Sequence, residues 1–254
     1  MNYYYYQPQQ MMQMIPIQYA APKGTDNFRT SIIYLVDTLE REPKQNYTIT
    51  QLCNRFGFQR RRFYDVVNVL ESAGCCQKTN VDCFTWLGLK NVKNHLQNLN
   101  DEVNQKFAGA DLNEIFYTGD SVTISNLTLQ FLLSFIAFNR PNLDIKQISN
   151  FLSRNNNRFK TTLCKLYQIS HILEVVGIIS KTMVPGEVLL KEGFFPQIKV
   201  KESHDQLDLG SLLSRPVENL GSHIFSERWS VFNKVQELNF TRAPILMYPS
   251  LVTV

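Results

Sequence analysis

The sequence predicts a mainly α fold with small β-hairpin wings (α+β), built as two copies of one unit. Three observations predict it. Residues 28–88 read as three helices followed by a hairpin. Residues 63–79, FYDVVNVLESAGCCQKT, match residues 166–182, LYQISHILEVVGIISKT, without a gap at an offset of 103. Each copy then reaches a glycine, Gly74 or Gly177, followed by strand-like residues.

The elements follow in chain order. Residues 1–22 hold no charged side chain and are rich in Tyr, Gln, Met and Pro. The tail to residue 27 therefore reads as low-complexity and disordered, either inert or an interaction tail. Ile32, Leu35, Val36 and Leu39 recur at helical spacing, and Glu42-Pro43 closes that helix. Thr48 is the expected N-cap of a short helix carrying Ile49, Leu52 and Phe56, which Gly57 ends. A third helix is expected from Gln59 to Ala73. CCQKT and CFTWLGL then read as two strands joined by the polar turn NVD. Three helices with a terminal hairpin is the layout of a winged helix, a winged form of the helix-turn-helix.

Residues 89–120 form a linker with helical character. Val92, Leu96, Leu99 and Val103 are spaced as a short heptad seam, which suits either packing against a neighbouring domain or pairing with a partner helix. The second copy spans 121–191. Upstream of the 103 offset, TITQL (48–52) matches DIKQI (144–148), and Leu35, Val36 and Leu39 fall on Phe131, Leu132 and Phe135, all at an offset of 96. The change of offset places about seven extra residues between the second and third helices of the second copy, in the stretch SRNNNRFKTT. Within 192–254, residues 225–238 are amphipathic, with Phe225, Trp229, Phe232 and Val235 on one face. That helix either docks on the two domains or presents a partner-binding face. LGSLL (209–213) resembles a short docking motif and carries little weight.

Composition narrows the function. A chain of 254 residues that is 44% hydrophobic can build real cores, and no apolar run reaches the length of about 18 that a membrane span needs. The N-terminus lacks a basic start and apolar core, so no signal peptide is expected. Five irregularly spaced cysteines suit reduced thiols in an intracellular compartment. The formal charge of +4 says little until the charge is placed.

The third helix of the first copy places it. On a helical wheel Phe63, Val66, Val67 and Leu70 form the core face, with Arg61, Asp65, Asn68 and Ser72 opposite and Arg62 and Tyr64 on the flanks. Asp65 sits one turn after Arg61, where it can orient the guanidinium. The major groove of DNA admits a helix, and arginine binds guanine O6 and N7 with two parallel hydrogen bonds. Arg62 and Tyr64 suit a base edge or a phosphate, and Arg60 suits the backbone. The bland reading is a solvated basic helix start; the hairpin wing behind it favours DNA.

RRRFYDVVNVLESAG with a following WLGL resembles the E-two-F/DP family of winged-helix cell-cycle transcription factors. The signature residues here are Arg61, Arg62, Phe63, Tyr64 and Asp65. The resemblance covers roughly 28–190 and implies that the two arginines read a G/C core. It also implies a nuclear, non-enzymatic DNA-binding regulator of transcription that takes no cofactor. It is closest in kind to the atypical branch, whose members carry two DNA-binding domains in tandem, the second more DP-like. Ordinary members pair an E-two-F chain with a DP chain. A DP-like or other partner would here use the Val92–Val103 seam or the 225–238 helix. The family's marked-box and retinoblastoma-binding segments find no match.

The second copy departs from the signature. Arg61 becomes Cys164, Arg62 becomes Lys165, Asp65 becomes Gln168 and Asn68 becomes His171. A thiol cannot imitate the arginine fork. The outward face of the second helix, Cys164, Gln168 and His171, is expected to add phosphate contacts or packing more than guanine readout. The expected DNA-binding set is Arg60, Arg61, Arg62, Tyr64, Asp65, Asn68 and Lys78 in the first copy, with Lys165, Tyr167, Arg158 and Lys160 in the second; Arg154 is a further backbone candidate. Cys75, Cys76 and Cys83 with His95 lack the paired spacing of a zinc site. No nucleophile elbow or phosphate-cradling glycine loop is present. The alternative function is a tandem winged-helix scaffold subunit of a nuclear DNA-associated assembly, which the CKLYQ string of the second helix favours.

Overall fold

The computed structural model describes residues 27–42, 46–106, 112–116, 122–154, 158–196 and 218–240. The Tyr- and Gln-rich tail and LGSLL lie outside the described residues.

The first unit runs α1 (Asn27–Arg41), β1 (Asn46–Thr48), α2 (Ile49–Phe56), α3 (Arg60–Ser72), β2 (Cys76–Asn80) and β3 (Cys83–Trp86). The apolar stripe of α1 is buried through Ile32, Leu35, Val36 and Leu39. It meets Leu52 of α2 and the predicted core face of α3, Phe63, Val66, Val67 and Leu70, in one hydrophobic core. Gly57 ends α2 at φ 70°, a left-handed conformation that costs glycine little. Thr48 is the N-cap of α2 without a side-chain cap bond. β1 joins the hairpin as a third strand, giving the antiparallel order β1-β3-β2. The fold is therefore a winged helix, mainly α with a small sheet.

After α4 (Lys90–Lys106) and the short α5 (Leu112–Ile115), the same order recurs. It comprises α6 (Ile124–Ala137), β4 (Asn142–Asp144), α7 (Ile145–Leu152), α8 (Phe159–Val175), β5 (Ile179–Lys181) and β6 (Glu187–Leu190). The sheet order β4-β6-β5 repeats that of the first unit. β4 and α7 begin at the predicted offset of 96, and β5 begins at 103. The extra residues do not all enter the loop: α8 has 17 residues against 13 in α3, so part of the insertion extends the helix at its N-terminal end.

α6 is buried nearly all round, from Ile124 through Phe131, Leu133 and Phe135 to Ala137. A helix apolar on every face must be enclosed, and α6 packs against α3, α4, α7 and α8. Its buried hydroxyls are satisfied one turn back: Thr128 donates to the Ile124 carbonyl and Ser134 to that of Gln130, each at 2.8 Å.

Both sequence candidates for a partner surface are occupied within the chain. Val92, Leu96 and Val103 are buried and Leu99 is packed on the core, with α4 lying against α6 and the 3-10 turn Glu192–Phe194. A heptad-like spacing serves core packing here because α6 offers an apolar face beside it. The C-terminal helix α9 (Glu218–Phe240) lies on α7. Phe232 is fully buried, its ring 4.8 Å from Phe138, 5.0 Å from Trp229 and 5.3 Å from Phe151. Gln236 donates to the Gln147 carbonyl at 3.0 Å, while Asn150 donates to its amide oxygen at 2.9 Å. The apolar stripe of α4, and Trp229, Phe232 and Val235 of the α9 face, which suggested a DP-like or other partner, are thus packed inside the chain.

The start of α4 clamps the turn after α3. Asn91 donates to the Gly74 carbonyl at 2.7 Å, and His95 Nε2 bonds the Ser72 carbonyl at 3.1 Å. Burial pushes the His95 imidazole below its ordinary value, partly offset by that bond. The unfolded chain therefore takes up this proton first, and stability should fall as pH drops below about 6.5. Urea unfolding between about pH 7.5 and about pH 5.5 should show a smaller loss in His95→Gln than in the wild type.

Candidate nucleic-acid interface

α3 presents its first turn to solvent because its apolar positions begin only at Phe63 and the Gly57–Gln59 turn leads in from α2. Arg60, Arg61 and Arg62 are exposed. Among the described residues, neither Arg61 nor Arg62 has a hydrogen bond or ion pair within the chain, so both guanidiniums keep their full donor capacity. Arg62 borders an open cavity of about 450 Å³ with Phe28, Gly57, Gln168 and His171.

The other predicted residues of this helix are engaged. Arg60 pairs with Asp82 in the wing turn at 3.1 Å. Tyr64 donates to the same Asp82 oxygen at 3.3 Å, and Thr50 donates to the other at 2.8 Å. Sequence reasoning missed Asp82, although the acid in the NVD turn was visible. Lys78 pairs with Glu71 at 2.8 Å and donates to Asn68 Oδ1 at 2.5 Å. The repeat preserves that pair as Lys181 with Glu174 at 3.0 Å.

Asp65 does not serve Arg61. It accepts a hydrogen bond from Gln168 Nε2 at 2.7 Å. These two residues are equivalents at the 103 offset, so α3 and α8 meet at matching positions across an approximate two-fold axis. Other contacts follow the same relation: α1 lies on α8 and α6 on α3. Ser72 donates to the Ser125 carbonyl at 3.1 Å, and the Phe28 and His171 rings stack at 6.3 Å. The stripe read as outward on a single-domain wheel therefore faces the other unit at Asp65 and Ser72, while Asn68 is held by Lys78 of its own wing. The same correction applies to α8, where Gln168 and His171 face the first unit and Cys164 remains exposed.

Lys165, the counterpart of Arg62, donates to the Val122 carbonyl inside the chain. Tyr167 is 41% exposed. Arg158 and Lys160 are exposed at the start of α8, and Arg154 is bonded to Asn113 at 3.0 Å. The structure thus groups Arg60, Arg61, Arg62 and Tyr64 with the wing, and sets Arg158, Lys160 and Tyr167 on the second unit. Lys78, Asn68, Asp65 and Lys165 are held in intramolecular bonds.

The buried thiols act as small apolar groups. Burial raises the Cys75 thiol and pushes Cys76 up to about 12. Among the described residues no group of three or more His, Cys, Asp or Glu side chains is placed to hold a metal ion, and no helix is long and apolar enough to cross a membrane.

Residues 31–88 match the model of the E-two-F/DP family winged-helix DNA-binding domain, the family of the sequence resemblance. The matched segment runs from within α1 through the wing, so this part of the chain is similar to a DNA-binding winged helix of E-two-F/DP type. Two relatives from Arabidopsis thaliana are similar to part of the chain. One is the E-two-F transcription factor-like protein E2FE, 31% identical over 81 residues, 28% of this chain and 20% of the relative. The other is the E-two-F transcription factor-like protein E2FD, 40% identical over 55 residues, 21% of this chain and 15% of the relative. The similarity therefore spans a fifth or less of each relative's length.

Proposed function

We propose that this chain is a nuclear, sequence-specific DNA-binding regulator of transcription of the E-two-F/DP type, holding two winged-helix units in one polypeptide. The observation that carries the reading is the pair of exposed, unengaged arginines, Arg61 and Arg62, at the first turn of α3 in a domain of DNA-binding type. Recognition helices contact base edges with their N-terminal residues, and a bidentate arginine selects guanine. A G/C-core site follows. Contact between α3 and α8 at equivalent positions makes the chain a pseudo-dimer, so the second unit takes the place a separate DP-like chain would occupy.

The two units contribute unequally. α8 offers exposed Cys164 and an inward-turned Lys165 where α3 offers two free arginines. Base readout falls to α3, and Arg158 and Lys160 add phosphate contacts. Hydroxyl-radical footprinting of the full chain on its best duplex tests this. Protection should extend beyond the G/C core on one side, with base-substitution sensitivity confined to the core. Two equally base-sensitive half-sites would contradict the unequal roles.

The engagement of Lys165 inside the chain also favours a second reading, in which the second unit is an interaction scaffold that leaves DNA to the first. A footprint no wider than one winged helix would select that reading.

A further inference from the structure

The wing turn holds a carboxylate on the face that the arginines define. Asp82 Oδ1 accepts from Arg60 at 3.1 Å and from Tyr64 at 3.3 Å, and Oδ2 accepts from Thr50 at 2.8 Å. Tyr64 also lies 3.4 Å from Arg60 Nη2. One acid therefore joins the wing, the start of α2 and the first two turns of α3. The second unit lacks it. The Ile49 amide bonds the Asp82 carbonyl at 2.8 Å, and the Ile145 amide bonds the Gly186 carbonyl at 2.9 Å, so Gly186 stands at the Asp82 position. The acids near that turn are engaged otherwise: Asp144 caps α7 by accepting from the Gln147 amide at 2.8 Å, and Glu187 accepts from Asn142 at 2.8 Å and Thr182 at 2.6 Å.

We infer that Asp82 is a specificity residue, a latch that keeps Arg60 from the phosphate backbone until α3 is seated on its preferred site. This rests on the DNA-binding reading above. Non-specific affinity comes from phosphate neutralisation. A carboxylate beside the arginine triplet repels phosphate and occupies one of the three guanidiniums. The pair is partly exposed, 59% for Arg60 and 31% for Asp82. Exposed ion pairs are weak, so a phosphate brought close by base contacts from Arg61 and Arg62 can displace it. The latch thus weakens contact with arbitrary duplex and releases on the selected one. Arg60, expected from sequence to meet the backbone on any DNA, becomes a conditional phosphate contact.

The test uses the full chain as wild type, Asp82→Asn, Arg60→Gln and the double variant. Each is titrated against the duplex selected from a random pool and against an unrelated duplex of equal length, over a salt series. Asparagine keeps one acceptor oxygen, and its amide NH2 can donate to the hydroxyl on the other side, so the fold should survive; thermal melts verify it. Asp82→Asn should raise affinity for the unrelated duplex by up to about tenfold near 0.1 M salt and steepen its log–log salt slope by about 1, as one added phosphate contact does. Affinity for the selected duplex should change less, so the specificity ratio falls. Arg60→Gln should flatten the slope on the selected duplex by about 1 and leave the slope on the unrelated duplex nearly unchanged, while the carboxylate it leaves unpaired lowers affinity for both. In the Arg60→Gln background, Asp82→Asn should lose most of its effect on the slope. Equal slopes and an equal specificity ratio in wild type and Asp82→Asn would overturn the latch and leave DNA binding intact. Should Asp82→Asn misfold, Arg60→Gln decides, because an equal loss of slope on both duplexes also overturns it. A wild-type chain that binds neither duplex would overturn the DNA-binding reading itself, and the latch with it.

Discussion

Replacing Arg61 or Arg62 with alanine is expected to weaken binding to the preferred duplex by about 1–3 kcal/mol each, the range for a good bidentate contact. Both side chains are exposed, and neither is held by a hydrogen bond or ion pair among the described residues. Their loss should therefore leave stability nearly unchanged, which separates a binding effect from an unfolding one. Arg61→Lys should recover charge but not the planar fork, restoring affinity for arbitrary DNA better than discrimination. Equilibrium titration at fixed salt, with an unrelated duplex beside the preferred one, measures both. Arg61 lies exposed one turn before Asp65, and Arg62 borders the cavity shared with the second unit. The two effects need not be equal, and Arg61→Ala is expected to give the larger loss of discrimination.

The largest stability effect is expected at Gly74. Its φ is +82°, and a Cβ built there meets His95 Cβ at 2.6 Å and Cγ at 2.7 Å. The left-handed conformation costs an alanine about 1–2 kcal/mol. The overlap adds about 1–3 kcal/mol, because the atom in the way lies at the root of a side chain and cannot swing aside. Gly74→Ala should therefore lose about 2–5 kcal/mol in urea unfolding. Gly177, its equivalent in the repeat, has φ +83°, but its added Cβ would meet only the mobile end of Lys191 at 3.3 Å. Gly177→Ala should incur the backbone cost alone, about 1–2 kcal/mol. Equal losses at the two sites would show that the α4 clamp does not constrain the first turn.

The residues explain what was legible. The apolar stripes of α1 and α3 follow a 3.6-residue period that local sequence displays, and Gly57 and Gly74 mark the turns before and after α3. The repeat also carried the element order, because β4 and α7 keep the 96 offset and β5 keeps 103. The side of α3 opposite its own core was not legible. A helical wheel knows only one core, so it placed Asp65 and Ser72 in the open, whereas α8 and α6 cover them. The same limit applied to Val69, which is fully buried although it lies off the predicted core face. The seam on α4 and the apolar face of α9 were visible as stripes, but a stripe does not say whether its cover lies in the same chain. Asp82 escaped because its partners, Thr50, Arg60 and Tyr64, come from two other elements that only folding brings to the wing.

The central claim is that α3 reads DNA sequence through Arg61 and Arg62. In-vitro selection from a random duplex pool, run in parallel with the purified full chain and with the Arg61→Ala/Arg62→Ala double variant, tests it most directly. The wild type should enrich a G/C-core site, and the double variant should enrich no such core while still retaining salt-sensitive binding to duplex DNA. Enrichment of the same core by both proteins, or no enrichment by the wild type, would contradict it.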